Sequence, residues 1–149
     1  MTERVDFYVL PVNSMRQRWL LACRLAEKAY EAKLGVLLVS PDAADAKALD
    51  ELLWTFNERA FLPHDLALQG NADPGTPVHV ALDSANMGAK DLLINLTDKL
   101  PSGWESFPRI AEIIDADEER RRQGRERFKA YRDAKVVLET HQLNESADV

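Results

Sequence analysis

The sequence predicts an α/β fold, a mostly parallel sheet with helices on both faces. Three observations carry this. Stretches of strand and helix pattern alternate along the chain, and that alternation builds sheets whose strands are joined by crossover helices. Leu34 to Val39 is an apolar run with no polar face, which suits a parallel strand covered on both sides. A chain of 149 residues, 46% of them hydrophobic, can bury one core, and it shows no internal repeat or low-complexity block. One domain over residues 1–140 is expected, followed by a polar, disordered tail over 141–149.

Val5 to Leu10 alternates as a strand does, and Pro11, Asn13 and Ser14 then supply turn and helix-cap chemistry. From Met15 to Lys33, Trp19, Leu20, Cys23, Ala26, Ala29 and Tyr30 recur at three- and four-residue spacing, which predicts a helix. The strand Leu34 to Val39 follows. Ser40, Pro41 and Asp42 open a second helix that runs to about Trp54 with Leu49, Leu52 and Leu53 on one side. After the polar break at Asn57 to Arg59, Phe61, Leu62 and Pro63 can form only a short edge strand, because proline has no N–H to give to a ladder. Gly70 to Pro77 reads as a loop, and Val78 to Leu82, Asp91 to Leu96 and Arg109 to Asp115 as strands, the last leading into a basic helix.

Several chemistries are missing. The layout is Rossmann-like, yet the first strand-to-helix turn, Leu10 to Arg16, has no glycine to let a pyrophosphate approach the backbone, and no Walker lysine motif occurs. A nucleotide-dependent enzyme is thus the weakest of the functional readings, and no cofactor is expected. Cys23 is the only cysteine, which excludes a multi-cysteine zinc site. His64, His79 and His141 lack metal-ligand spacing and read as surface or capping groups. Ser14 and Ser40 lie where helix caps are expected rather than in a nucleophile elbow. The short alternating N-terminal segment does not resemble a secretory leader, and no apolar run approaches a membrane span. A cytoplasmic protein that makes no membrane contact is expected.

The charge distribution points elsewhere. Net charge is −6, yet Arg120, Arg121, Arg122, Arg125, Arg127, Lys129 and Arg132 face only Glu126 within their segment, so residues 120–132 carry +6 and the rest of the chain −12. Asp115, Asp117, Glu118 and Glu119 come just before, where negative charge offsets the open N–H groups of a helix start. At 100° per residue Arg121, Arg125, Phe128 and Arg132 fall within about 60° of one another. Guanidiniums around an aromatic ring suit a peptide with carboxylates and an apolar side chain. A solvated charged face and a phosphate-binding helix are the other readings of the same run. The acidic remainder opposes extensive nucleic-acid contact, so a direct single-stranded nucleic-acid-binding module is an alternative of second rank. A second feature is the crowding of Trp54, Phe56, Phe61, Leu62 and Leu66 at a helix end. Two or three of these exposed together would mark a partner surface.

Asp6-Phe-Tyr-Val-Leu10, Leu49-Asp-Glu-Leu-Leu-Trp54, Phe61-Leu-Pro-His-Asp-Leu66, Val78-His-Val-Ala-Leu82, Asp91-Leu-Leu-Ile-Asn-Leu96 and Arg125-Glu-Arg-Phe-Lys-Ala-Tyr-Arg132 follow one another in a known order. In these segments, which span nearly the whole chain, the sequence resembles the chi subunits of bacterial DNA polymerase III, the small accessory proteins of the clamp loader. The resemblance implies a non-catalytic replication subunit with the fold of a nucleotide-binding domain that lacks the phosphate loop. It implies that Arg121, Arg125 and Phe128, with Tyr131 and Arg132 nearby, bind the acidic, aromatic-ended C-terminal tail of single-stranded DNA-binding protein. Many members carry tyrosine where this chain has Phe128, so the ring is kept without its hydroxyl. A second interface, for the psi subunit or an accessory helicase, maps onto Trp54, Phe61, Pro63, His64 and Leu66. Contact with DNA is expected to be mainly indirect.

Overall fold

The computed structural model describes residues 1–59, 61–68, 73, 75–85 and 90–144. Strands β1 (Arg4–Val9), β2 (Val36–Val39), β3 (His64–Ala67), β4 (Val78–Ala81), β5 (Leu92–Asn95), β6 (Arg109–Ile114) and β7 (Val137–Gln142) form one sheet in the order β3-β4-β2-β5-β6-β1-β7. Every neighbouring pair is parallel. Helices α1 (Met15–Glu31) and α2 (Ala43–Thr55) pack on one face and α3 (Glu118–Asp133) on the other.

The two faces follow from the period of two in a strand. Val36 and Leu38 of β2 join Leu20, Cys23, Ala26 and Leu49 under α1 and α2, whereas Leu37 and Val39 join Leu93, Ile110, Trp104 and Tyr131 on the α3 side. A leucine or isoleucine fully buried in either layer contributes roughly 1.5–3 kcal/mol. This is why β2, with all four residues buried, reads as an unbroken apolar run. Helix α1 starts where Ser14 accepts a hydrogen bond from the Gln17 amide at 3.1 Å. Helices α1 and α3 both stop in the same way. Lys33 and Lys135 take left-handed backbone (φ 64°), and the next amides, Leu34 and Val136, donate back to Ala29 and Tyr131.

Five expectations need correction. Asp42, not Ser40, caps α2, accepting from the Asp45 amide at 2.8 Å, while the buried Ser40 hydroxyl has no partner among the described residues. The edge strand at Phe61–Pro63 begins instead at His64, because the ladder can start only after the proline. Arg109–Ile114 is not the last strand, since β7 follows α3 and pairs with β1. β7 takes in His141 and Gln142, the first two residues of the expected tail. Residues 145–149 of that tail lie outside the described residues. Two of the histidines are not surface groups, since His79 is buried against Asp65 and the His64 ring is buried, while the partly exposed His141 donates to the Asp6 carboxylate at 2.8 Å.

A candidate peptide pocket on α3 and an aromatic surface on the far edge

Helix α3 carries two neighbouring stripes with different tasks. Arg120, Gly124, Arg127 and Tyr131 face the sheet. Arg120 donates to Asp115 through Nε at 2.8 Å and a terminal nitrogen at 2.7 Å. Arg127 donates to Glu112 at 3.1 Å, and the Tyr131 hydroxyl donates to the same carboxylate at 2.8 Å, joined by Asn95 at 3.0 Å. Gly124 lies so near β6 that a Cβ there would stand 2.8 Å from Ile114 Cδ1. A glycine inside a helix costs about 1 kcal/mol relative to alanine. Here it permits the close approach that brings Arg127 and Tyr131 within reach of Glu112.

Titration follows from this packing. Burial works to raise the Asp115 carboxyl, but hydrogen bonds from Arg120 and from the Asp117 amide outweigh it and hold the group below its ordinary value. Glu112, wholly enclosed, is raised by burial despite Arg127, Asn95 and Tyr131. Tyr131 is raised by burial and by the facing Glu112 charge. Asp117 is the cap of α3, accepting from the Arg120 amide, with Glu118 and Glu119 in the first turn.

The next stripe, Arg121, Gly124, Arg125 and Phe128, borders a pocket between α3 and the end of the sheet, whose floor is Phe7 and Val9 of β1, Ile114, and Thr140 and Gln142 of β7. Phe128 meets Phe7 edge-on, with ring centres 5.3 Å apart. Pairing sorts the six arginines of the helix. Arg120 is neutralised by Asp115, Arg127 by Glu112, and Arg122 by both Glu119 and Glu126. Arg132 has Asp133 at 3.7 Å. Among the described residues Arg121 and Arg125 pair with no carboxylate, and these two line the pocket. Arg121 is aimed by backbone carbonyls, donating to Asp115 O at 3.0 Å and Leu10 O at 3.3 Å. Its charge is thereby oriented and left uncompensated.

Tyr131 and Arg132 stand apart from this pocket. Tyr131 is 0% exposed, wedged edge-on against Trp104 with ring centres 5.1 Å apart, and Arg132 lies beyond the pocket's rim. The sequence feature that marks the inner stripe is Gly124, on the same face as Tyr131.

On the opposite edge, Trp54 and Phe61 are 53% and 70% exposed and lie 5.8 Å apart. The His64 ring sits under Trp54 at 4.4 Å and is fixed by the Leu62 carbonyl at 2.8 Å and the Asp50 carbonyl at 3.1 Å. Pro63 is half-buried, and Leu66 packs against the core under α2. The exposed part of this group is therefore Trp54, Phe61 and part of Pro63. No group of three or more histidine, cysteine or carboxylate side chains that could hold a metal occurs among the described residues. Nor is any helix there long and apolar enough to cross a membrane.

Residues 1–139 match the family model described as DNA polymerase III chi subunit, HolC. Among named relatives, the DNA polymerase III subunit chi of Pseudomonas aeruginosa is 39% identical over 140 residues, 94% of this chain and 96% of that one. The protein of the same name from Escherichia coli is 31% identical over 143 residues, 93% and 97% of the two chains. Of solved structures, T4 UvsW matches with a TM-score of 0.67 at 10% identity, over 94% of this chain and 41% of its own. Mss116p DEAD-box helicase domain 2 bound to an RNA duplex matches with a TM-score of 0.60 at 12% identity, over 95% and 64%. Identities this low report shared fold and nothing further.

Proposed function

The chain belongs to the DNA polymerase III chi subunit family, and from that premise we propose a non-catalytic accessory subunit that works as a two-ended adaptor. The α3 pocket takes the acidic, aromatic-ended C-terminal tail of single-stranded DNA-binding protein. The Trp54 and Phe61 surface takes the psi subunit of the clamp loader, or an accessory helicase in its place. One observation carries the first assignment: the two arginines of α3 that pair with no carboxylate are the two beside Phe128 in a pocket. Tail carboxylates would complete Arg121 and Arg125 with charge-assisted hydrogen bonds, and the aromatic end would bury against Phe128, Phe7 and Val9.

Sheet order supports the two-ended reading. β3 and β7 are the outer strands of a seven-stranded sheet, and at about 4.8 Å per strand spacing the two surfaces lie roughly 30 Å apart. The two surfaces therefore do not overlap.

Calorimetry with a short acidic peptide ending in Phe tests the pocket. Arg125→Ala should weaken binding by about 1.5–3 kcal/mol, the range for a hydrogen bond to a charged group. Arg122→Ala, whose charge is met by Glu119 and Glu126, should change it by less than about 0.5 kcal/mol. Equal losses in the two variants, or none in Arg125→Ala, would reject the assignment. Trp54→Ala should leave peptide affinity intact and abolish recovery of clamp-loader subunits in a pull-down.

A further inference from the structure

The pocket is walled on one side by a strand with an open edge. Among the described residues β7 is outermost and bonds to β1 alone. In a parallel strand each residue turns its N–H and C=O to the same side, and successive residues alternate. The Leu143 amide donates inward to Val9 O at 2.9 Å, so His141, Glu139 and Val137 also face β1. Leu138, Thr140 and Gln142 then turn both backbone groups outward. Thr140 and Gln142 are the β7 residues whose side chains line the pocket, beside their register partners Phe7 and Val9. Glu139 and His141 extend from the other face.

Natural sheets blunt their edges with proline, bulges, inward charges or very short strands. The β3 edge has this protection: it is four residues long and begins directly behind Pro63. β7 runs six residues in unbroken register with β1 and contains no proline, lysine or arginine. An edge free of proline, lysine and arginine, a groove lined by the same residues and two uncompensated guanidiniums across that groove form one continuous surface.

We infer that the acidic peptide binds this surface as an added β-strand, pairing its backbone with Thr140 and Gln142. Alternate side chains enter the groove toward Phe128, Arg121 and Arg125. This rests on the pocket reading proposed above and adds a backbone component to it. Side-chain contacts with α3 would select for carboxylates and an aromatic ring, while the strand edge would hold the peptide in extended form whatever its remaining sequence.

Thr140→Pro tests the idea on the full chain, because it removes an outward N–H that the ladder to β1 does not use, and proline is tolerated at such edge positions. Titrated with a short acidic peptide ending in Phe, it should bind about tenfold more weakly, one backbone hydrogen bond plus its unmet partner. Thr140→Val, which keeps the N–H and exchanges the hydroxyl for a methyl group, should weaken binding less than Thr140→Pro does. Peptides N-methylated at single positions, titrated against the unaltered chain, should lose affinity at alternate positions only, and they decide the matter if Thr140→Pro fails to fold. Uniform tolerance of N-methylation would overturn the added strand. If Arg125→Ala still weakened the peptide in that case, the pocket would stand without the strand; if it did not, both would fall.

Discussion

Replacing Tyr131 by phenylalanine isolates one bond in the attachment of α3. The ring is fully buried, and its contacts with Trp104 at 5.1 Å and Phe7 at 6.0 Å would survive the change. What disappears is the hydroxyl that donates to Glu112 at 2.8 Å. Glu112 keeps Arg127 and Asn95, so no charge is stranded, and the loss is that of one buried hydrogen bond to a charged group, about 1.5–3 kcal/mol. For a domain of this size 1 kcal/mol moves Tm by roughly 2–4 °C, so a fall of about 3–12 °C is expected. Urea unfolding should give the free-energy loss as a lower midpoint at unchanged slope. Peptide titration on the same variant should give an affinity within about threefold of the parent, because Tyr131 faces away from the pocket. A variant of parental stability that lost peptide binding would instead put Tyr131 on the ligand side of the helix.

Two further outcomes test features away from the pocket. Lys33 sits in left-handed backbone at the end of α1, where a non-glycine residue costs about 1–2 kcal/mol. Lys33→Gly should therefore raise stability by a net ~0.5–1 kcal/mol after the greater chain entropy of glycine, read as a higher urea midpoint. Asp6 and Asp115 are both held below the ordinary carboxylate range; burial pushes each the other way, and hydrogen bonds from Arg4 and His141, and from Arg120, prevail. Below about pH 4 the native state thus binds fewer protons than the unfolded chain, and stability should fall as acid is added. In Asp115→Asn stability should be lower at pH 7, and the gap to the parent should close as pH drops below about 4 in urea titrations.

Much of this was legible in the residues, because each face of the sheet repeats at a fixed period. β1, α1, β2 and the basic helix could be read from apolar spacing and charge alone, as could the grouping of Arg121, Arg125 and Phe128. A helical wheel cannot tell which of two adjacent stripes meets the sheet. That depends on Glu112, which lies 19 residues before its partner Tyr131 in the chain. A glutamate inside the run Arg-Ile-Ala-Glu-Ile-Ile signals a buried charge in need of a partner, and Gly124 signals which stripe supplies it. β7 leaves little trace in the sequence because an outermost strand is held by its ladder to β1 and needs few apolar side chains. Its exposed Val137, Glu139, Thr140 and Gln142 give no alternating pattern.

The insertion of β1 between β6 and β7 has a consequence for the newly made chain. β1 precedes the other strands of this sheet in the chain, yet both its neighbours come more than a hundred residues later in the sequence. Its two edges stay bare until those residues are made, and pairings that span so much chain are slow to close. The groove that β1, α3 and β7 enclose is accordingly among the last surfaces to be assembled. A partly synthesised molecule can expose Trp54 and Phe61 before this groove exists, so on the proposed reading peptide binding would require that β7 has already joined β1.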